Sequence, residues 1–241
     1  KGAMLTHSNL ICNCNSITEV LEANERDCFL SALPLFHSFA AMVYLLMPVM
    51  VGAKIQLMER FMPAATLTLL EQCGATIFGG VPTMFGLMLQ AAGERKPDLS
   101  HLRVCVSGGA PMPTDIQCQF EDEFNAVVIE GYGLTEASPV VAVNPPYGIR
   151  KLGSIGPSVP GVEVKVVDND GYELPIDEIG ELVVRGGNVM KGYLNNPEES
   201  AVAIRDGWLY TGDLARIDED GYIYIVGRKK ELIIVGGLNV Y

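Results

Sequence analysis

Six consecutive residues, Gly131-Tyr132-Gly133-Leu134-Thr135-Glu136, bring together a turn-forming backbone, a hydroxyl and a carboxylate behind a strand-like apolar run at 126–129. Glycines on either side of a tyrosine let the chain turn sharply and approach a ligand, and the Thr135 hydroxyl can then donate to a phosphate oxygen. Glu136 stands where a dinucleotide-binding fingerprint would carry its third glycine. A carboxylate beside a polyphosphate repels it unless a hard cation such as Mg²⁺ bridges the two, so the pattern points to nucleotide chemistry with a metal. The same six residues also fit a strand-ending glycine turn with a solvated glutamate.

The elements that must position this stretch follow from the chain in order. Ser8 reads as the cap of a helix with Leu10, Ile11, Cys14, Ile17 and Leu21 on one face. A strand at 28–33, a helix after Ser38 and a strand at 53–58 come next. Pro63 opens a helix that Gly74 ends after Cys73, residues 75–78 are strand-like, and Pro82 begins a helix carrying Met84, Phe85, Met88 and Leu89. Those side chains suit ordinary core better than the wall of a ligand tunnel. A strand at 103–106 runs into Ser107-Gly108-Gly109-Ala110-Pro111, and Ile116, Phe120 and Phe124 mark a helix after Pro113. Alternating strands and helices imply a largely parallel sheet whose ligands bind at the carboxyl ends of its strands, where both glycine turns fall.

From Gly153 onward the pattern changes to short β-branched runs at 162–167, 181–185, 207–209 and 222–226, with no comparable helix among them. Asp168-Asn169-Asp170-Gly171 and Asp218-Glu219-Asp220-Gly221 read as hairpin turns. They are not calcium loops, because Val166 and Arg216 would occupy the first ligand position. The expected fold is α/β, a mostly parallel sheet with flanking helices followed by a small antiparallel β-barrel-like subdomain. The expected divisions are 1–150, 151–226 and a hinge with the start of a further domain at 227–241.

Composition narrows the partners. The 241 residues carry a net charge of −12 and are 49% hydrophobic, with no basic stripe, which argues against nucleic acid. Six cysteines lack any CxxC spacing and suit reduced thiols in a cytoplasmic compartment. The uncharged window 28–53 is long enough to span a bilayer, but Pro34, His37, Ser38 and Pro48 interrupt it, so a buried strand and core helix are expected. Both ends read as cut.

Tyr210-Thr211-Gly212-Asp213 and Gly227-Arg228-Lys229-Lys230-Glu231 add a second and a third signal. With Lys1-Gly2-Ala3-Met4-Leu5-Thr6-His7-Ser8-Asn9, Leu33-Pro34-Leu35-Phe36-His37, the opening motif, Ser154-Ile155-Gly156 and Gly236-Gly237-Leu238-Asn239-Val240-Tyr241, they run in order along the whole chain. The chain resembles the acyl-adenylate-forming superfamily, with likeness to bacterial-type long-chain fatty-acid–CoA ligases. That resemblance implies two steps: a fatty acid carboxylate attacks the α-phosphate of ATP, and the CoA thiol then displaces AMP. It implies that Thr135 contacts phosphate, that Glu136 holds Mg²⁺, and that Gly108, Gly109, Ala110, Gly131, Tyr132 and Gly133 surround the adenine and its phosphates. Asp213 and Arg228 would meet the ribose, Lys230 would serve as the hinge, and His37 would lie near the acyl carboxylate and thiol entrance. A lone histidine there also suits a hydrogen-bonded core position.

The family's phosphate loop would precede Lys1, and its C-terminal catalytic lysine would follow Tyr241. The 241 residues alone are therefore expected to retain a nucleotide half-site without useful adenylation. Loading of a carrier-protein thiol, a noncatalytic nucleotide-binding module and a dinucleotide-dependent oxidoreductase remain as alternatives, with Glu136 counting against the last. Acyl length is not readable, and peripheral membrane association of the parent is left open.

Overall fold

The structure is a computed structural model that describes residues 1–93 and 97–229, with the strands Ile233–Val235 and Leu238–Val240 described as backbone. Thr6, upstream of the expected Ser8, caps the first helix, α1 (His7–Leu21): its side chain accepts the Asn9 amide while Asn9 answers to the Thr6 backbone. This reciprocal pairing satisfies two amide groups that a helix start otherwise leaves open, and Ser8 has no such partner to offer.

Strand β1 (Cys28–Ser31) leads to α2 (Ser38–Ala41), one wider π turn at Met42–Leu46, and α3 (Met47–Val51). Then come β2 (Lys54–Leu57), α4 (Pro63–Cys73), β3 (Ile77–Gly80), α5 (Pro82–Ala91), β4 (Val104–Ser107) and α6 (Thr114–Phe124). Pro63 and Pro82 lie in first helical turns, where a missing amide hydrogen costs nothing, and Gly74 closes α4 with the left-handed φ of 60° that disfavours other residues. The segment 28–53 holds the expected buried strand, but the expected core helix is interrupted by the π turn and leaves Val49 and Met50 exposed, and no helix of the described residues is long and apolar enough to cross a membrane.

Two further strands, β5 (Val128–Gly133) and β6 (Val140–Val143), complete a sheet of order β2-β1-β3-β4-β5-β6 among the described residues. Its first five strands are parallel and β6 runs antiparallel to β5. Here the sequence expectation needs correction: Gly131-Tyr132-Gly133 is strand, not turn. Gly133 is required by proximity, since a Cβ there would lie 2.2 Å from the Pro139 carbonyl oxygen. The reversal falls at 134–139, around a short 3₁₀ turn, Thr135–Ala137.

Side chains alternate between the two faces of this sheet. Phe29, Ile77, Val104, Val106 and Ile129 face α1 and the π turn, whereas Leu30, Phe78, Cys105 and Val128 face α4, α5 and α6. On the second face Phe78, Phe85, Phe120 and Phe124 form a chain of tilted and edge-on rings at centroid separations of 5.9, 5.0 and 4.6 Å. Met84, Phe85 and Met88 belong to that packed layer, in line with the core reading.

The second sheet consists of β7 (Val162–Val167), β8 (Gly180–Gly186), β9 (Ile204–Arg205), β10 (Trp208–Ile217) and β11 (Ile223–Arg228), all antiparallel, in the order β11-β10-β8-β7 with β9 against β10. A short pair, β12 (Ile233–Val235) with β13 (Leu238–Val240), follows. Both acidic turns close as expected: the Asp168 carboxylate accepts the amides of Asp170 and Tyr172, and Asp218 does the same for Asp220 and Tyr222. The absence of a helix in this half was a misreading, because α7 (Pro197–Ala203) stands between β8 and β9. Its signals were present: Asn196 caps it, Pro197 opens it, and Glu198 and Glu199 occupy its first turn.

Candidate active site

The carboxyl ends of β4 and β5 open onto an apolar cleft of about 570 Å³, its open mouth included. Gly108, Gly109, Gly131, Tyr132 and Gly133 line its rim. Ile17 and Leu21 of α1, Val43 of the π turn, and Val106 and Val143 of the sheet form its walls. Ala110 follows Gly109 on the exposed part of the same loop. Beneath that loop the Glu130 carboxylate accepts the Met112 amide at 3.0 Å. Burial raises the affinity of Glu130 for its proton, while the Met112 and Gly153 amides oppose the shift. Glu130 was not singled out in the sequence, where it reads as one more strand residue.

His37 lines the same cleft and is exposed, so the core reading of this histidine is corrected. It caps α2, its Nδ1 accepting the Phe39 amide at 3.4 Å. Next to it the Ser38 and Thr135 hydroxyls lie 3.2 Å apart. The loop after β1 therefore shares an edge with Thr135, which is exposed and hydrogen-bonded to Ser38.

Across the rim the second sheet contributes Asp213. It is 7% exposed, and it accepts from the Tyr132 hydroxyl at 2.5 Å and pairs with Arg228 Nε at 3.2 Å. Register explains the latter contact: β10 and β11 pair Asp213 directly opposite Arg228. Burial first, then the adjacent carboxylate of Asp213, holds the Tyr132 phenol well above its ordinary value, so it stays a neutral donor. Glu181 braces the bulge that presents Asp213, accepting the Gly212 amide at 3.1 Å and pairing with Lys229 at 2.7 Å. Neither is legible in the sequence: the bracing by Glu181 depends on the register of β8 against β10, and the Tyr132–Asp213 bond on how the two sheets meet. Lys230 lies outside the described residues.

Glu136 is half-buried and held at two atoms by the segment 190–193. Its carbonyl accepts the Met190 amide at 2.8 Å, and its Oε1 accepts the Tyr193 hydroxyl at 2.7 Å. Burial, followed by the bond to Glu136, raises the Tyr193 phenol above its ordinary range. Among the described residues no cluster of three or more metal-ligating side chains exists. A single carboxylate of this kind fits Mg²⁺, which keeps most of its waters and is usually shared between one or two carboxylates and nucleotide phosphates.

The cleft framed by glycines at the strand ends, the Asp213 carboxylate across its rim and the Glu136 carboxylate beside the Thr135 hydroxyl stand together on an α/β fold of known class. The model of the AMP-binding enzyme family matches residues 1–194, and the chain belongs to that family. It is 38% identical to a long-chain-fatty-acid–CoA ligase of Bacillus subtilis and 40% identical to a feruloyl-CoA synthase of an Amycolatopsis species, in each case over the whole chain. Those matches cover 44% and 49% of the two relatives, so the chain spans under half of their length. The crystal structure of ATP-bound MatB from Rhodopseudomonas palustris superposes on the whole chain with a TM-score of 0.94 at 37% identity, using 48% of that structure.

Proposed function

We propose that the full protein is an AMP-forming acid–CoA ligase acting on fatty acids in the cytoplasm. The observation that carries this reading is the apolar cleft between α1, the π turn and the sheet, whose mouth brings His37 and Thr135 to the same edge as the glycine rim. An acyl chain in that cleft would leave its carboxylate at the rim, beside a nucleotide held between the two sheets. Asp213 accepts the ribose hydroxyls, Arg228 steadies the same sugar, and Tyr132 with Gly108, Gly109 and Ala110 frames the adenine. Gly131 and Gly133 keep the strand edge free of side chains, and Thr135 donates to a phosphate oxygen.

The carboxylate then attacks the α-phosphate of ATP and pyrophosphate leaves; the CoA thiol, entering past His37, displaces AMP to give the thioester. Little covalent help is needed from the protein, whose part is positioning and charge complementarity. Mg²⁺, when bound, neutralises phosphate charge, and Glu136 is the residue that would hold it. Lys230 serves as the hinge between the two half-reactions.

Exchange of labelled pyrophosphate into ATP by the full-length protein, measured with fatty acids of increasing length and with ferulate and coumarate, tests the reading. Exchange that rises with acyl length and collapses in Glu136→Ala supports it. Strongest exchange with the aromatic acids reassigns the substrate, which the feruloyl-CoA synthase relative makes the leading alternative. ATP binding with no exchange for any acid points instead to a noncatalytic nucleotide-binding module. Supplying CoA or a carrier-protein thiol in the second step identifies the acceptor.

A further inference from the structure

The segment that holds Glu136 is itself anchored from several directions. Met4 donates its amide to the Gly192 carbonyl at 2.9 Å, Lys191 returns an amide to Met4 at 3.0 Å, and Leu194 donates to Gly2 at 2.8 Å. Asn9 of α1 donates to the carbonyls of Gly187 and Val189 at 2.7 and 2.9 Å, and the Tyr193 amide donates to Ser200 Oγ at 2.8 Å. Tyr193 therefore meets the Glu136 carboxylate from a frame fixed on both sides. Its hydroxyl directs a proton at Oε1, and Oε2 has no partner among the described residues. A cation approaching Oε1 would share that oxygen with a donated proton. Oε2 is the atom left for it.

We propose that Tyr193 is a positioning residue that presents Glu136 as a one-oxygen ligand, through Oε2, to the divalent cation accompanying the nucleotide. This rests on the reading of Glu136 as the metal-holding carboxylate. Hydrogen bonds to ligating groups fix their orientation, and their loss typically weakens metal binding by roughly 10- to 100-fold.

The test uses the full-length protein and a nonhydrolysable β,γ-methylene analogue of ATP. Its affinity is measured by calorimetry with Mn²⁺ and in EDTA, and the ratio of the two reads the metal contribution. Tyr193→Phe is expected to shrink that ratio about 10-fold while leaving affinity in EDTA unchanged. An unchanged ratio, or an equal loss with and without metal, overturns the proposal, the second because it would mark a merely structural role. Glu136→Gln separates the two levels: a ratio unaffected by that substitution removes the metal role of Glu136 itself, whereas a ratio that falls in Glu136→Gln but not in Tyr193→Phe removes the role of Tyr193 alone. Should Tyr193→Phe fail to fold, electron–nuclear double resonance of bound Mn²⁺ in protein carrying ring-deuterated tyrosine decides. Coupling to nearby ring deuterons is expected, and its absence overturns the assignment.

Discussion

Asp213 works in a crowded place: one oxygen receives the Tyr132 hydroxyl, the other faces Arg228, and 7% of the residue is exposed. Arg228 has a side chain 70% exposed, so its ion pair alone adds little to stability. The value of the arrangement lies in orientation: the Tyr132 hydroxyl fixes the carboxylate that, in the proposed reading, meets the ribose hydroxyls. Asp213→Ala is expected to weaken AMP binding roughly 10- to 100-fold, the loss of hydrogen bonds to a charged acceptor being about 1.5–3 kcal/mol. Calorimetric titration of AMP into the full-length variant measures this. Tyr132→Phe, which removes one donor and leaves the ring, is expected to cost roughly 10-fold or less in the same titration.

At the scale of elements, α1 does more than cover the sheet with its apolar face. Asn13, wholly buried, donates to the Val140 carbonyl at 2.7 Å and accepts the Val140 amide at 3.0 Å, while Asn188 donates to the Ala137 carbonyl at 2.9 Å. These two side chains share the Val140 carbonyl and so hold the end of the reversal at 134–139. Asn13→Ala would take the side-chain partner from the buried Val140 amide, whose carbonyl keeps Asn188 at 3.3 Å, and is expected to lower folding stability by about 1–3 kcal/mol, read as a lower denaturant midpoint at unchanged slope. Helix α4 was legible nearly to the residue, since Pro63 and Gly74 act locally and no tertiary contact competes with them. The segment at 131–133 was misread because its glycines satisfy a neighbouring strand and the Pro139 carbonyl, which only the folded partner reveals. Glu136, Asp213 and Arg228 could be picked from motifs, but Asn13, Asn188 and Tyr193 are lone polar residues with no period, and their importance comes from partners more than fifty positions away.

Over the whole molecule, Arg103 ties several parts together. It bonds both Asp27 oxygens, at 2.9 and 2.8 Å, the Leu21 carbonyl at the end of α1, and the Tyr147 hydroxyl in the connection to the second sheet. Burial of Asp27 works against its charge, but the bonds from Arg103, Thr76 and the Asn24 amide prevail and hold its carboxyl below the usual range. A carboxylate more acidic in the folded than in the unfolded chain contributes stability above its unfolded value and loses it as pH falls through the folded one. Denaturant midpoints are therefore expected to drop from near neutral pH into the acid range below about pH 4. In Asp27→Asn the midpoint should be lower at neutral pH and its fall with acid shallower. One more feature acts in time. The pairing of residues 2–4 with 191–194, and the hold of Tyr193 on Glu136, join segments far apart along the chain. At about 5–20 residues per second a ribosome needs on the order of 10–40 s to make the intervening stretch. Glu136 itself waits only for the 57 residues that separate it from Tyr193, roughly 3–11 s at that rate, so the carboxylate proposed to hold the cation gains its Tyr193 bond only once the loop before α7 has emerged.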